Sequence, residues 1–509
     1  MITSFKTFRG GKSSRLLRRC ICTVLGIFLL FGTNVYAAPE SADKEIDNQY
    51  LDGIMDMIRD EYQGSPNGGQ VVEGAVKGMF GSLDNYTTYY NTEEAEAFFS
   101  YVTGVFGGIG VTMEASGDYI IVTEVYPGSP AEKAGIQQGD KIVEADGVSL
   151  VKATMEEAAS VIRGEKGTKV NLGILRDGSD SVMKIDVMRE IIKINPVVYE
   201  FRNDGVGYIK LGEFNENADE FLTKALEDMD RKKVKKIILD LRDNPGGEVD
   251  QAVAVAEKFV PEGLITKLDY KSEKYSDIEY NSHLKKLKYK LAVLVNGMSA
   301  SASEIVAGAV QDSGAGKLVG TKTFGKAKFQ GLIPILTPEA FAKYEKELGI
   351  KAVNAFDLQI YNDIVPEDSE IAGYAKMTLG LYYTPKGRMI DGTGLAPDVE
   401  AAAPKLVDGV PVESIGKLSK TTEPGLNSGG IDVYNAEKIL KILGYKKGSP
   451  DTKLDSETAS AIKAYQKASG IAAGGTLDSR TQTSLNKSRL ELIEKYDTQY
   501  AEAAKLLKS

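Results

Sequence analysis

A serine and a lysine in the second half of the chain have the types and the sequence context of a hydrolytic site. Ser301 follows the apolar segment 291–296, which predicts a buried strand, and precedes residues 303–310, which predict a helix. A strand-to-helix turn is a common place for an exposed nucleophile. A second apolar strand, 317–320, leads into the loop that carries Lys326. We therefore expect the serine hydroxyl and the lysine amine to meet at one edge of a sheet.

The serine hydroxyl needs a base that accepts its proton, and in most serine hydrolases that base is a histidine. The chain has one histidine, His283, and it lies in a polar, basic segment typical of an exposed surface. A neutral lysine can do the same work if burial lowers its pKa from about 10.4 towards 7. Gln330, four residues after Lys326, could orient the amine without adding charge. The residues favour a Ser-Lys pair and leave His283 as the alternative base.

Each of these residues also has an ordinary interpretation. Ser301 and Glu304 fit the S-x-x-E capping box at the start of a helix. Residues 320–326 match the first seven positions of the phosphate-binding loop G-x-x-x-x-G-K, but the eighth residue is Ala327 instead of the Ser or Thr that holds magnesium. A helix cap and a nucleotide-binding loop are therefore the alternatives to a hydrolase.

In combination these residues resemble the C-terminal processing peptidases, the tail-specific serine proteases of peptidase family S41. In that family the nucleophile lies in an SASASE-like motif, the base follows 25 residues later in an FGK motif, and a glutamine follows four residues after the base. Ser301, Lys326 and Gln330 occupy these three positions. The resemblance implies a serine endopeptidase with a Ser-Lys dyad, an α/β ClpP/crotonase-like core and no cofactor. One departure is Ala327, where the family usually has glycine.

The segment from Asp240 to Gly247 resembles the family's DLRxNPGG segment. The resemblance implies that an amide of Gly246 or Gly247 forms the oxyanion hole together with the amide of Ala302. Glycines after an apolar strand let backbone N–H groups converge on developing negative charge. Without the resemblance, a Pro-Gly turn is the ordinary interpretation.

In residues 101–190 the sequence pattern is that of short strands separated by glycines, and this region resembles a PDZ domain. In such domains consecutive amides hold a terminal carboxylate while the peptide adds as a strand. Four residues resemble this carboxylate-binding loop: Gly107, Gly108, Ile109 and Gly110. The alternative is a glycine-rich hairpin. Arg163 matches the position of an arginine that links the PDZ domain to the protease body in related peptidases, and is otherwise a surface cation.

The N-terminus has the features of an export signal. Residues 1–37 contain six Lys or Arg, no acid, and an apolar run from 20 to 31, which predicts a secretory signal peptide, with an uncleaved anchor as the alternative. Both cysteines, Cys20 and Cys22, lie within it, so we expect no disulfide and no cysteine-based metal site in the mature chain. The formal charge is -10, and loss of the six leader cations leaves -16, which argues against nucleic-acid binding.

A chain of 509 residues is expected to fold as several domains. Residues 40–100 have helical periodicity and resemble the family's N-terminal helical region, which in relatives can support a homodimer. Residues 191–404 carry the protease core, and within them residues 338–375 match no common pattern of the family. We interpret this stretch as a lid, a substrate-channel insertion or a surface excursion.

The C-terminal part is predicted to be helical. Residues 405–430 are predicted to be a linker because they are rich in Gly, Ser, Thr and Pro. Residues 431–490 resemble the three-helix peptidoglycan-binding module, with a helical dimerisation or capping module as the alternative. Residues 491–509 are predicted to form a helical tail.

The sequence thus predicts a multidomain α+β and α/β protein. It consists of an N-terminal helical region, a PDZ β-sandwich or barrel, a ClpP/crotonase-like protease core and a C-terminal three-helix module. We expect an exported, cell-wall-associated serine endopeptidase that recognises protein or peptide substrates by their C-termini and also contacts peptidoglycan. The alternative is a non-catalytic PDZ scaffold at the cell wall, which would tolerate Ser301→Ala.

Overall fold

The computed structural model of the protein describes residues 48–176, 181–420 and 422–508. The predicted signal peptide, with both cysteines, lies outside the described residues. Within the described ranges no helix is long and apolar enough to cross a membrane. The same ranges contain no group of three or more Asp, Glu, His or Cys side chains that could hold a metal ion.

The N-terminal region contains two helices, a short strand and a third helix. Asn67 caps the second helix by accepting hydrogen bonds from two backbone amides, and Asn91 forms a capping box with Glu94 at the third. In chain order the elements are α1 (Asn48–Glu61), α2 (Gly68–Gly81), β1 (Thr88–Asn91) and α3 (Thr92–Thr103).

The PDZ-like region has a sheet with the strand order β3-β4-β5-β7-β8, in which β6 pairs with β5, and a separate two-stranded pair of β2 and β9. Its core is made of alternate side chains such as Ile120, Ile142 and Leu172, which are fully buried. Its elements are β2 (Val105–Gly108), β3 (Val111–Ser116), β4 (Tyr119–Val125), α4 (Pro130–Lys133), β5 (Lys141–Ala145), β6 (Val148–Ser149), α5 (Met155–Ile162), β7 (Lys169–Leu175), β8 (Met183–Met188) and β9 (Glu190–Lys193).

The protease core contains two sheets and the helices between and beyond them. Its first elements are β10 (Val197–Phe201), β11 (Gly207–Leu211), α6 (Ala218–Arg231), β12 (Lys236–Asp240), α7 (Val249–Glu257), β13 (Gly263–Tyr270), β14 (Ile278–Ser282) and β15 (Lys290–Val295). They are followed by α8 (Ala302–Ser313), β16 (Gly316–Gly320), β17 (Lys328–Leu336), α9 (Pro338–Leu348), α10 (Ala355–Asn362), a 3-10 turn (Asp368–Glu370), β18 (Ile371–Tyr383) and β19 (Val399–Glu400).

The larger sheet has the order β10-β11-β12-β15-β16-β19 and is parallel except for the edge strand β10. In the second sheet β18 pairs with β17, with β13 and with β1 from the N-terminal region. The nucleophile turn follows β15 of the first sheet, and the lysine loop connects β16 of the first sheet to β17 of the second. The residues of the predicted site therefore lie where the two sheets meet.

Residues 338–375, which match no common pattern of the family, fold as α9, α10, the 3-10 turn and the start of β18. Tyr344 and Leu358 from these helices are buried together with Leu332 of β17 and Ala95 of α3. The stretch is thus a packed helical subdomain that joins the second sheet to the N-terminal region.

The C-terminal part consists of a 3-10 turn (Val412–Ser414) and the helices α11 (Ile431–Ile442), α12 (Ser456–Ala468), α13 (Ser479–Tyr496) and α14 (Thr498–Lys508). The parallel strands alternate between two cores. Val293 of β15 belongs to the core formed with α6, α7 and α8, whereas Leu294 belongs to a second core shared with Tyr500 and Leu507 of α14. Parallel sheets are normally covered on both faces, and here the C-terminal helices provide the second layer.

This packing corrects two features predicted for the C-terminal part. The predicted linker 405–430 packs against the core, since Val412 and Leu418 are fully buried. The predicted boundary between the module and the tail, at residue 490, lies within α13, and the tail forms part of the second layer of the protease sheet. The multidomain fold class itself is confirmed.

A buried ion network ties the C-terminal helices to the segment that follows β12. The Arg242 guanidinium lies 2.6 Å from the Asp240 carboxylate and 2.9 Å from the Asp497 carboxylate, between α13 and α14. It also donates to Gln499 Oε1 at 3.1 Å. These side chains are almost completely buried, so each charge depends on its partners for stabilisation.

Asp497→Ala removes one carboxylate from this network while Arg242 stays buried, and we expect the free energy of unfolding to fall by about 3–5 kcal/mol. Denaturant unfolding measures the change. Glu494→Ala, which removes an exposed carboxylate three residues earlier on α13, is the matched control and should change stability by less than about 0.5 kcal/mol. Equal unfolding midpoints for the two variants would contradict this role of the network.

Candidate active site

Ser301 lies in a strained turn between β15 and α8. Its backbone has φ 56° and ψ -115°, a region that costs a residue other than glycine about 1–3 kcal/mol. The turn is fixed to the neighbouring segment because the Ser299 hydroxyl donates to the Leu241 carbonyl and the Ala300 amide donates to the Asn244 carbonyl. Strain of this kind is typical of a nucleophile held in one orientation. The serine is 2% exposed, so solvent has little access to it in this conformation.

Lys326 and Gln330 are in direct contact. The lysine Nζ donates to Gln330 Oε1 at 2.9 Å, and both side chains are 1% exposed. Gln330 Nε2 in turn donates to Thr378 Oγ1 on β18 at 3.2 Å. The ring of Tyr86, from the N-terminal region, lies 4.6 Å from the lysine amine. The amine is therefore enclosed by the second sheet and by the N-terminal segment.

Glu304 joins the serine turn to the lysine loop. Its Oε2 accepts from the amides of Ser301 at 3.0 Å and Lys326 at 2.9 Å, and its Oε1 accepts from the Thr323 hydroxyl and the Gly325 amide. The sequence identified Glu304 as a capping residue, and it does cap the Ser301 amide. Its wider role, to hold the two chain segments together, depends on long-range contacts that the motif does not contain.

Tyr382 makes a second connection between the two segments. Its buried hydroxyl lies 3.0 Å from the Ser301 carbonyl oxygen and 2.5 Å from the Lys326 carbonyl oxygen. Two independent bridges thus set the spacing between the serine backbone and the lysine backbone. No local sequence signal marks Tyr382, because it reaches the site from β18.

The environment of Lys326 favours a neutral amine. Burial, and then the positive charge of Lys376, lower the pKa of Lys326 to about 7, although the carboxylates of Asp84, Glu304 and Asp391 act in the opposite direction. A base works best when its pKa is close to the working pH. Near neutral pH, a large fraction of the molecules therefore carries an amine that can accept a proton.

Two glycines after β12 lie beside the serine turn. A Cβ atom on Gly246 would approach the Ala300 carbonyl oxygen to 2.9 Å and the Ser301 Cβ to 3.0 Å, so a side chain has no room there. The Gly246 amide donates to Asn244 Oδ1 at 2.9 Å. This bond leaves the amide of Gly247, together with that of Ala302 at the first position of α8, as the better pair of donors for an oxyanion.

The two alternative interpretations of the site residues find little support in the geometry. His283 is exposed in the segment that follows β14. In the loop that matches seven positions of a phosphate-binding motif, the Lys326 amine is buried and bonded to Gln330, whereas the motif needs an open lysine to reach a phosphate.

The predicted carboxylate-binding loop lies at the junction of β2 and β3. A Cβ on Gly110, which has φ 81°, would lie 2.5 Å from the Ser129 Cβ, so the loop needs glycine there. A groove of about 890 Å³ opens beside Gly107, and it is lined by residues of α3 and α5. The Arg163 guanidinium stacks 4.6 Å from the Phe106 ring in this groove.

The pH dependence of serine reactivity follows from the pKa of Lys326. We expect a fluorophosphonate probe to label Ser301 at a rate that rises about tenfold per pH unit below pH 7 and levels off above it, because only the neutral amine accepts the serine proton. Intact-mass measurement follows the labelling, and Lys326→Ala should lack this rise. A rate that keeps rising towards pH 10, as for an ordinary lysine, would contradict the assignment.

Family models match three parts of the chain: peptidase family S41 at residues 205–401, the PDZ domain at 121–176 and a peptidoglycan-binding domain at 429–485. The carboxy-terminal processing protease CtpA of Bacillus subtilis is 30% identical over 495 residues, which are 97% of this chain and 97% of that protein. The carboxy-terminal-processing protease of Bartonella bacilliformis is 33% identical over 401 residues, which are 76% of this chain and 84% of that protein. The family resemblance is therefore confirmed, and the chain belongs to peptidase family S41 as a carboxy-terminal processing serine protease.

Proposed function

We propose that this protease is an exported endopeptidase that uses Ser301 as its nucleophile and Lys326 as its general base. The observation that carries the proposal is the buried lysine amine. It has a pKa of about 7, it is bonded to Gln330, and its backbone is tied to that of the serine through Glu304 and Tyr382. This arrangement gives the hydroxyl a base without a histidine.

In the first half of the reaction the Ser301 Oγ attacks the scissile carbonyl carbon, and Lys326 takes the hydroxyl proton. The amides of Gly247 and Ala302 stabilise the oxyanion of the tetrahedral intermediate. As the intermediate collapses, Lys326 returns the proton to the leaving amine and the C–N bond breaks. The products are a free amine and an ester between Ser301 and the N-terminal part of the substrate.

In the second half a water molecule attacks the ester carbonyl, and Lys326 accepts a proton from that water. The new tetrahedral intermediate expels the serine oxygen, which takes the proton back from the lysine. The released product carries a new C-terminal carboxylate. Throughout both halves Gln330 Oε1 holds the orientation of the Lys326 amine by accepting a hydrogen bond from one of its N–H groups.

We propose that the PDZ domain selects the substrate by its C-terminus. The loop from Gly107 to Gly110 would hold the terminal carboxylate while the peptide adds as a strand, and the adjoining groove leads towards α3 of the N-terminal region. Arg163 lines this groove and is the candidate contact between a bound peptide and the protease body. Substrates would therefore be proteins or peptides with accessible C-termini.

We further propose a location outside the cytoplasm, at the cell wall. The match of residues 429–485 to a peptidoglycan-binding domain supports contact with the wall, and the predicted signal peptide supports export. This module shares a buried core with α14, the helix that packs on the protease sheet, so the proposed wall-binding part and the catalytic core are in direct structural continuity.

The N-terminal helices support the proposal of a homodimer. Tyr50 and Met57 on α1, and Met79 on α2, are 71%, 52% and 49% exposed, and a monomer would leave this apolar surface in water. A second copy of the same helices would cover it.

A solution mass equal to that of one chain, measured at micromolar concentration, would contradict the dimer.

The dyad is tested with an unfolded model protein that ends in apolar residues, incubated with the full chain. We expect cleavage by the parent, and a loss of rate of at least about 10³-fold in Ser301→Ala and in Lys326→Ala. Lys322→Ala removes an exposed lysine of the same loop and should keep the parent rate. Intact-mass analysis identifies the products. Cleavage by Ser301→Ala at the parent rate would contradict the Ser-Lys assignment, and absence of cleavage by every version would favour the non-catalytic scaffold.

A further inference from the structure

Two lysine-rich segments lie side by side where the parallel strands of the protease sheet begin. Residues 231–236, which lead from α6 into β12, contain five Lys or Arg, and residues 285–290, which lead into β15, contain four Lys. The Lys290 amide donates to the Lys235 carbonyl at 2.8 Å, and Lys236 and Lys290 are register partners. Like charges directly opposite each other on neighbouring strands are unfavourable. The fold thus concentrates positive charge at one end of the sheet.

Most of these lysines are not neutralised by a neighbouring carboxylate. Within the described part of the chain, six of them have no carboxylate at ion-pair distance, whereas Lys285 is paired with Glu262 at 2.7 Å and Lys288 is paired with Asp230. Two nearby carboxylates, Glu227 and Glu257, also have no ion pair in the same ranges. Since the chain has a formal charge of -10, this surface is positive on an otherwise acidic protein. The six lysines are Lys232, Lys233, Lys235, Lys236, Lys286 and Lys290.

An apolar groove opens among the lysines. It has a volume of about 680 Å³ and lies between α6, the end of α7 and the second lysine-rich segment, with Lys235 and Lys286 among its lining residues. Leu226, Leu284 and Leu287 supply apolar surface to it. The Leu287 side chain is 41% exposed although lysines flank it on both sides in the sequence. The surface therefore offers positive charge and an exposed apolar side chain together.

This combination favours a lipid surface over a soluble polyanion. A polyanion would neutralise the lysines but would leave Leu287 in water. A phospholipid with an anionic headgroup supplies a negative charge for the lysines and an acyl chain for the leucine. Lysine side chains also suit this boundary, because their apolar stems can lie along the acyl region while their amines stay at the headgroups.

The surface lies far from the nucleophile. β15 has six residues, with Lys290 at its start and the Ser301 turn after its end. At about 3.3 Å per residue, the strand separates the two ends by roughly 20 Å. A membrane bound at the lysine-rich end would thus leave the Ser301 end of the sheet open to substrates.

We propose that the surface formed by residues 231–236 and 285–290 docks the protease on a membrane with anionic headgroups, with Leu287 inserted among the lipids. This docking is a property beyond the endopeptidase function and does not depend on the Ser-Lys dyad. It would keep the exported enzyme at the membrane even after cleavage of the predicted signal peptide.

A local reporter tests the contact in the full chain. The chain has no tryptophan, so Leu287→Trp introduces a single fluorophore at the proposed surface. It is mixed with vesicles made of equal parts of phosphatidylglycerol and phosphatidylcholine, in which brominated acyl chains quench tryptophan on contact. Leu348→Trp, at a leucine of α9 that is 48% exposed, is the control reporter. Vesicles of brominated phosphatidylcholine alone test whether the negative charge is needed.

We expect the anionic vesicles to quench Leu287→Trp and to leave Leu348→Trp unquenched, and the neutral vesicles to quench neither. Raising the salt concentration from about 0.1 M to about 1 M should weaken the quenching, because the Debye length falls from about 10 Å to about 3 Å. The predicted signal peptide is present in every version, so its own affinity for lipid does not distinguish them.

The lysines are tested in the Leu287→Trp chain. Lys235→Gln, Lys286→Gln and Lys290→Gln together should raise the lipid concentration for half-maximal quenching about 100-fold, because each lysine near an anionic surface contributes about fivefold. A control triple variant loses the same charge elsewhere and should stay within about threefold of the parent. It replaces three exposed lysines by glutamine: Lys346, Lys405 and Lys467. Unchanged denaturant unfolding midpoints show that both triple variants are folded.

Several results would overturn the inference. They are no quenching of Leu287→Trp by the anionic vesicles, equal quenching by the neutral vesicles, and equal effects of the two triple variants. Soluble polyphosphate provides a further arm. If polyphosphate shifts the Leu287→Trp emission while the anionic vesicles do not quench it, the lysines bind a polyanion and the membrane proposal is wrong. None of these outcomes bears on cleavage by Ser301, which the variants of the dyad test separately.

Discussion

Burying a lysine amine is energetically costly, and most features of the catalytic region serve this one side chain, Lys326. Keeping Lys326 neutral near pH 7, when a free lysine is charged, costs the folded protein about 4–5 kcal/mol. The positive charge of Lys376 lies nearby, and the neutral amide of Gln330 accepts a hydrogen bond from the lysine amine. A carboxylate in the place of Gln330 would stabilise the ammonium form and remove the base.

The surrounding structure compensates for this unfavourable free energy. Strain at Ser301 and the buried amine both require a rigid frame, and Glu304 and Tyr382 supply it by joining the two loops at their backbones. Further support comes from the C-terminal helices, which cover the second face of the parallel sheet and hold Arg242, four residues before Gly246, in a buried ion network. The catalytic core therefore depends on parts of the chain that resemble accessory modules.

Local patterns predicted the elements that carry Ser301 and Lys326, because apolar runs and turn residues set strand and helix ends within a short window. They could not predict Tyr382 or Thr378, because both residues reach the site from β18. Tyr382 lies 56 residues beyond Lys326 in the chain. Nor did composition show that the predicted linker packs as core. A signal was present, however, since the uninterrupted apolar segment 291–295 implies a strand covered on both faces.

The central claim is that the structure holds Lys326 neutral at working pH, and its ionisation can be observed directly. Nitrogen NMR of side-chain amines in the full chain, with Lys326→Arg to assign the signal, would follow the titration in the Ser301→Ala protein. The account predicts a midpoint of about 7 for Lys326, set by burial and by Lys376. A midpoint near 10, as for a lysine side chain in water, would show that the amine is charged at neutral pH and contradict the account.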